Sequence, residues 1–317
     1  MRILCIASNK GAVNYHRIEA PHVALKIKNP TWDIRFIEDE RGMFNPKFGN
    51  TDVFVFTRQI RLQTLEVGKA KIPMEKVFEG LKKAGKKIIL DVDDWWVLDD
   101  DHILADKLGK DYIEQTIRSL RVASMVITTN KRLLKKIRPY NKNVYIIPNC
   151  ISHHEEQWQP KKTGFKVAYF GGNTHDKDLQ MLQTDVKERA VAFVPDHKKF
   201  GFKIEPMKDV YNYGNLFNDV GLSLAPLALS PFNVCKSNLK VMEAAAKKTA
   251  IAVSNVPPYT DFKHESIITL NPDEDWESVF DISEKEMKQR GERLHEAVSD
   301  IYNIDKWNEF RKKLYLS

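Results

Sequence analysis

Long apolar runs are missing from this chain of 317 residues. The longest stretch free of charge, from Val220 to Cys235, is broken by Pro226, Pro231 and Asn233. A bilayer span needs about 20 apolar residues, so no integral membrane segment is expected. The opening MRILCIASNK has neither the long apolar core nor the small-residue cleavage site of a secretory leader, and a cytoplasmic location is expected. Cysteine is scarce: Cys5, Cys150 and Cys235 are odd in number, far apart and without metal-ligand spacing. A disulfide framework is thereby excluded, and reduced thiols are expected. Several signatures are also absent: the glycine pattern G-x-G-x-x-G, the Walker loop, G-x-S-x-G, H-E-x-x-H and C-x-x-C. The pair His153 and His154 lies near Cys150, but nothing nearby completes a tetrahedral set, so no metal is expected.

What the chain does have is an ordinary globular composition, 42% hydrophobic and 29% charged, in a length that suggests two cores. Charge is unevenly divided. Residues 1–150 carry +9 and the rest −2, within a total of +7. An anionic partner for the first half follows, unless the lysines merely reflect a biased proteome.

Short β-like runs alternate with amphipathic helical patterns throughout. Strands are expected at residues 2–7, 34–38, 53–56, 87–92, 125–128 and 144–148, then at 166–170, 191–194, 220–224, 250–254 and 267–270. Helices are expected near 15–27, 74–84, 112–122, 131–137, 177–189, 208–217, 236–247 and 276–280. A final helical region covers 283–316, interrupted near Asn303. The alternation argues for parallel, doubly wound α/β sheets with ligands at their carboxyl edges. The polar stretch 151–164 reads as a linker. The expected organisation is a Rossmann-like domain over residues 1–158, a second over 159–300, and a C-terminal helix at 301–317 packing back on the first. The two domains are expected to face each other across a cleft.

Candidate sites lie where strands end. Gly171, Gly172 and Asn173 follow a strand and lead into a helix bearing Lys177, a turn able to offer backbone N–H groups to phosphate or simply to reverse the chain. His16 and Arg17 enter the helix after the first strand. There the histidine can bond a sugar hydroxyl, move a proton, or do neither. Asp91, Asp93 and Asp94 precede Trp95 and Trp96, a cluster suited to a hard cation, to carbohydrate, or to a helix cap over core tryptophans. The helix at 236–247 places Lys236, Lys240, Glu243 and Lys247 on one line, either a site or a solvated row. The basic run Lys131, Arg132, Lys135, Lys136 and Arg138 alternates with Leu133, Leu134 and Ile137, as on a helix against a core or a membrane surface.

The second half resembles the donor domain of GT-B glycosyltransferases, in particular the large retaining family related to glycogen and sucrose-type synthases. The segment FGGNTHDKD (170–178) is similar to that family's VGR-x4-EKG turn, with Lys177 at the lysine and Gly172 at the arginine. MEAAAKKTAIAVSN resembles the second half of its E-x7-E signature, with Glu243 at the second glutamate and Cys235 at the first. Asn233, Lys236, Ser237, Lys240 and Glu243 match a divergent N-x-x-K-S-x-L-K-x-x-E pattern, and VITTNKRLLKKI with VYIIPN resembles the family's approach to its second domain.

The resemblance implies a donor domain at the C-terminal side and transfer from a nucleotide sugar, with retention of configuration and no metal or other cofactor. Gly171, Gly172, Asn173, Lys177, Asn233, Lys236, Ser237 and Lys240 would hold the donor, with Glu243 on its ribose. His16, Arg17, Asp93 and Asp94 would face the acceptor or the transferred sugar. An anionic acceptor is expected, either DNA with a hydroxymethylated base or a lipid-linked or polymeric glycan at a membrane. Two other readings fit the residues: a non-catalytic sugar- or nucleotide-binding protein of this fold, and another two-domain nucleotide-sugar enzyme such as an epimerase.

Overall fold

The computed structural model describes residues 1–7, 11–57, 64–67, 70–100, 102, 104–172, 175–194, 201–271 and 274–317. They form two units. The first comprises Met1–Cys150, Cys235–Ser237 and Ile304–Ser317, and the second Ile151–Val234 and Asn238–Asn303.

The first unit is built on six parallel strands: β1 (Arg2–Ile6), β2 (Asp33–Ile37), β3 (Val53–Thr57), β6 (Lys87–Val92), β7 (Met125–Thr128) and β8 (Val144–Ile146). A separate antiparallel hairpin, β4 (Thr64–Val67) with β5 (Ala70–Pro73), sits between β3 and β6 in sequence. The order across the sheet is β2-β1-β3-β6-β7-β8, so the connections reverse direction between β1 and β3. β3 is buried at every position, as expected of a strand covered on both faces.

The second unit has β9 (Lys166–Phe170), β10 (Val191–Phe193), β11 (Lys203–Glu205), β12 (Val220–Ala225), β13 (Ala250–Ser254) and β14 (Ile267–Leu270), all parallel. Their order is β11-β10-β9-β12-β13-β14, with the reversal between β9 and β12. In open parallel sheets such a reversal leaves a crevice at the strands' carboxyl ends, where ligands bind. Each unit therefore has one predetermined place for a site.

Several expected elements change form. The helix expected over 177–189 is two short ones, Asp176–Gln180 and Thr184–Arg189. Those expected at 208–217 and 276–280 are 3-10 turns, Tyr213–Asp219 and Trp276–Asp281. The helix expected at 236–247 spans only Leu239–Ala246. Strand β11 and the β4/β5 hairpin were not foreseen, because KIE and TLEV lack a long apolar run.

The helix Glu284–Ser299 starts at Ser283, whose hydroxyl accepts from the Glu286 N–H. Inside it, Gly291 lets the backbone of Lys248 approach so closely that a β-carbon would lie 2.1 Å from the Lys248 carbonyl oxygen. Beneath, the ammonium of Lys247 is buried on the carbonyls of Gln157 and Gln159, at 2.8 and 2.6 Å. Burial, reinforced by Lys161, lowers its pKa to about 8.

The helix Ile304–Leu316 belongs to the first unit, with Leu314 and Tyr315 in that unit's core. Asn308 donates to the Pro21 carbonyl at 2.8 Å, and Lys87 donates to the carbonyls of Leu314 and Tyr315. His22, 1% exposed, lies between the Ile18 carbonyl (2.6 Å from Nδ1) and the Tyr315 hydroxyl (2.7 Å from Nε2). A carbonyl only accepts, so Nδ1 carries the hydrogen and Nε2 accepts from the tyrosine. Burial, aided by the charge of Arg311, lowers the His22 pKa from 6.5 to about 3.

The unfolded chain thus takes up a proton that the folded one refuses. Stability is full above pH 6.5 and is lost as pH falls toward 3, by up to about 1.4 kcal/mol per pH unit. Urea midpoints measured from pH 7 to pH 4 should fall less steeply in His22→Gln than in the parent.

Candidate functional site

At the carboxyl edge of the first sheet, the helical run after β1 passes through a π-helical turn, Tyr15–Glu19, that carries His16 and Arg17 inward. The Arg17 side chain is buried, 2% exposed. Its Nε and Nη2 grip the two oxygens of Asp91, at the end of β6, at 2.8 and 3.0 Å. Its Nη1 donates to the Ile147 carbonyl at 2.9 Å and to Asn149 Oδ1 at 3.1 Å. Burial alone would lower the pKa of this guanidinium, but the Asp91 carboxylate raises it above its ordinary value.

Arg17 is therefore a strut between β1, β6 and β8 rather than a group held out to a ligand. Asp91 is consumed in the same pair, which removes it from the cation set suggested by its alternation with Asp93. Asp93 is buried and Asp94 half-buried. The Thr129 hydroxyl donates to the Asp93 carbonyl at 3.3 Å. His16 is 5% exposed and meets the Tyr15 ring edge-on. Trp96 is buried against Tyr140, while the ammonium of Lys136 lies 4.0 Å from the centre of the Trp95 ring.

Cys235, Lys236 and Ser237 join this edge. Asn130 caps the helix Lys131–Ile137 with its side-chain oxygen and donates from its nitrogen to the carbonyls of Cys235 (2.8 Å) and Lys236 (3.3 Å). Asn149 Nδ2 donates to the Ser237 hydroxyl at 2.7 Å. The buried Cys235 thiol has its pKa raised by burial, against the opposing charges of Lys136 and Arg132. Lys236 precedes the helix Leu239–Ala246 and does not share a face with Lys240 and Glu243. The expected charged row is thus dispersed, with Lys247 buried and structural.

In the second unit, Gly171 and Gly172 follow β9. A β-carbon on Gly171 would lie 2.1 Å from the Tyr169 hydroxyl, so only glycine fits, whereas Gly172 has open space around its own. Asn173 lies outside the described residues. Lys177 is exposed, but its helix has only five residues and holds Asp176 and Asp178 in its first turn. Those two carboxylates offset the positive end of so short a helix.

Asp178 is instead the organiser. Buried to 3% exposure, it accepts from the Ala228 N–H (2.7 Å), from Asn233 Nδ2 (3.4 Å) and from His175 (2.6 Å). Asn233 also donates to the Ala228 carbonyl at 2.9 Å, which staples the Pro/Ser-rich loop beside the switch point.

Phe170 at the end of β9 stacks on Phe217 at 4.0 Å and meets Tyr213 edge-on at 6.0 Å. The Tyr213 hydroxyl accepts from Lys240 Nζ at 3.0 Å and donates to Glu243 Oε2 at 3.4 Å, and Lys240 reaches the same oxygen at 3.1 Å. Glu243 is 2% exposed. Desolvation pushes the pKa of the half-buried Lys240 down, yet the Glu243 carboxylate raises it above the ordinary lysine value. Burial likewise raises Tyr213, with the Glu243 charge adding to it. Sequence reading missed Tyr213 and Asp178 because both partners are remote along the chain. The only visible signal was an aspartate beside the matched lysine.

The arrangement can present a glycine turn and a held carboxylate at one sheet edge. No protein-family model matches the chain, and no curated protein sequence matches it. Solved structures do. Anabaena HepE in complex with UDP superposes with a TM-score of 0.63 at 11% identity, over 99% of each chain. The same protein in complex with UDP-glucose gives 0.62 at 10%. AviGT4, a glycosyltransferase involved in avilamycin A biosynthesis, gives 0.59 at 9% identity, over 99% of this chain and 97% of its own. S. aureus TarM gives 0.58 at 12%, over 84% of this chain and 55% of its own.

The structural role of Arg17 has a measurable consequence. Removing one partner of a buried pair leaves an uncompensated charge, a cost of about 3–5 kcal/mol. Arg17→Met should lower the stability of the first unit by that order in urea unfolding. A large loss of activity at unaltered stability would instead make Arg17 a ligand contact.

Proposed function

We propose that this chain, which has the GT-B fold, is a glycosyltransferase moving a sugar from a nucleotide-sugar donor to an acceptor hydroxyl. The observation that carries the reading is the carboxyl-edge cluster of the second unit, in a chain matching end to end a protein solved with UDP and with UDP-glucose. The Gly171–Gly172 turn, with open space around Gly172, lets the diphosphate approach the backbone closely, with Lys177 as a nearby point charge. Lys240 pairs with Glu243 at 3.1 Å, and a carboxylate is a strong acceptor for a vicinal pair of ribose hydroxyls. Asn173, Lys236 and Ser237 belong to the same proposed donor set. Asn233 acts through Asp178 by holding the loop.

In the reaction the bond between the anomeric carbon and the diphosphate oxygen breaks, and its electron pair goes to the departing diphosphate. The acceptor oxygen forms the new bond to the anomeric carbon and releases its proton. Donors preorganised around the leaving group stabilise the charge it gains. The reaction needs no further cofactor, and retention of configuration is part of the proposal. His16, Asp93 and Asp94 are assigned to the acceptor side.

The first unit, with its returning segments, carries a net charge of +12, and the second −5. This supports an anionic acceptor, either DNA with a hydroxymethylated base or a charged glycan at a membrane surface. No helix among the described residues is long and apolar enough to cross a membrane. Binding of naked duplex should weaken steeply with salt if DNA is the acceptor.

A second reading, a sugar- or nucleotide-binding protein without transfer, is favoured by one feature: Gly172, with open space around it, stands where the resembled family carries an arginine. Donor hydrolysis in the absence of acceptor separates the two.

The test is a thermal-shift screen of UDP-, GDP- and ADP-sugars, UDP-glucose first, since a ligand of the folded state raises the melting point. Losing a charged hydrogen bond is worth about 1.5–3 kcal/mol, so Glu243→Ala should weaken donor binding roughly 10- to 100-fold. Unchanged affinity would remove Glu243 from the site, and a panel that neither binds nor is hydrolysed would overturn the reading.

A further inference from the structure

Between β13 and β14 the chain crosses over through Asn255, Tyr259 and His264. Residues of this crossover and of β14, an edge strand, line a cavity of about 400 Å³. That is within the usual range of about 300–1,000 Å³ for small-molecule sites. It shares no lining residue with the glycine turn or with Lys240 and Glu243. Tyr259, a buried member of the lining, feels the charges of Lys240, Asp178 and Glu243.

The chemistry of the lining is distinctive. The rings of Phe262 and His264 lie parallel, 8° apart with centroids at 6.2 Å. Phe262 is braced edge-on by Tyr302. Phe262 and Ile267 are apolar members of the lining. Polar groups accompany them. Asn255 gives its nitrogen to Asn271 Oδ1 at 2.8 Å, and its own side-chain carbonyl is an acceptor. His264 Nδ1 accepts from the Ser266 N–H, which places the neutral ring's hydrogen on Nε2 as a donor. Thr260 and Thr269 add hydroxyls that serve either way. Lys263 and Glu265 bring one charge of each sign to the lining, and Arg293, outside it, pairs with Glu265 at 3.3 Å.

Flat apolar rings bordered by donors and acceptors complement one class of ligand. A neutral pyranose has an apolar C–H face to lie on aromatic rings and hydroxyls in a girdle around it. We infer that this cavity is a binding site for a neutral sugar unit, separate from the proposed donor site. An alkyl or purely aromatic ligand would leave the side chains of Asn255, Thr260, His264 and Thr269 unsatisfied, at a cost in affinity. The inference does not depend on the chain being a transferase, since a glycan-binding protein would use the site equally.

Saturation-transfer NMR with methyl glucoside, methyl galactoside, methyl mannoside and N-acetylglucosamine tests it on the full chain, with and without saturating UDP. At least one sugar should show transfer to its ring C–H protons at millimolar concentration, and UDP should leave that signal in place. Phe262→Ala removes part of the aromatic floor and should weaken binding about tenfold. Thr269→Arg, at an exposed position of the edge strand, fills the cavity with little risk to folding and should abolish the signal. The thermal shift produced by UDP, measured separately, should be the same in both variants as in the parent, which keeps the fate of this site distinct from that of the donor site. Absence of transfer from every sugar, a signal unchanged in Thr269→Arg, or a signal displaced by UDP would each overturn the assignment.

Discussion

The buried pair between Arg17 and Asp91 sets the geometry of the first unit's carboxyl edge. Three segments remote in sequence meet on one guanidinium: the helical run after β1, the end of β6, and the Ile147–Asn149 stretch after β8. A buried pair of this kind is a weak source of stability against an apolar alternative, but it is costly to break. Its value is therefore positional. Asn149, held by Arg17, in turn orients the hydroxyl of Ser237, so the placement of that segment depends on a contact two steps away.

The second unit reaches a comparable result with different chemistry. Asp178 collects a backbone N–H, an amide and an imidazole, and no guanidinium is involved. Beside it, Lys240, Tyr213 and Glu243 form a closed triangle in which a charge is retained despite burial. Hydrogen bonds in such surroundings are electrostatically stronger than in water, and the same surroundings penalise any member left alone. The two sheet edges thus differ in kind: one ties chain segments together by an internal ion pair, the other holds a carboxylate ready beside a glycine turn.

Much of this architecture was legible in the sequence. Strands buried on both faces announce themselves as short apolar runs, and β6, β7, β9 and β13 lie where those runs placed them. The carboxyl-edge positions of Gly171 and of His16 and Arg17 followed from the same pattern. What sequence could not convey was commitment. Periodicity put Lys236, Lys240, Glu243 and Lys247 on one helical line, but the helix starts after Lys236, and Lys247 turns to carbonyls about 90 residues away. Arg17 looked available for a ligand because Asp91, Ile147 and Asn149 are invisible as partners until the sheet assembles. β11 escaped notice because an edge strand of three residues, KIE, has little apolar surface to declare.

The return of Ile304–Ser317 to the first unit also dictates an order of events during synthesis. The second unit's chain is complete at Asn303, while the first, begun three hundred residues earlier, still lacks Leu314 and Tyr315 from its core and the hydroxyl partner of His22. On a ribosome emitting about 5–20 residues per second, domains emerge amino-terminal first. Here the amino-terminal unit must nevertheless wait, with an apolar face uncovered, for the later one to pass. The closure entropy of so long an excursion rises only slowly with its length, so the arrangement is thermodynamically tolerable. Its vulnerability is temporal: the nascent chain holds an unfinished core for as long as the whole of the second unit takes to be made.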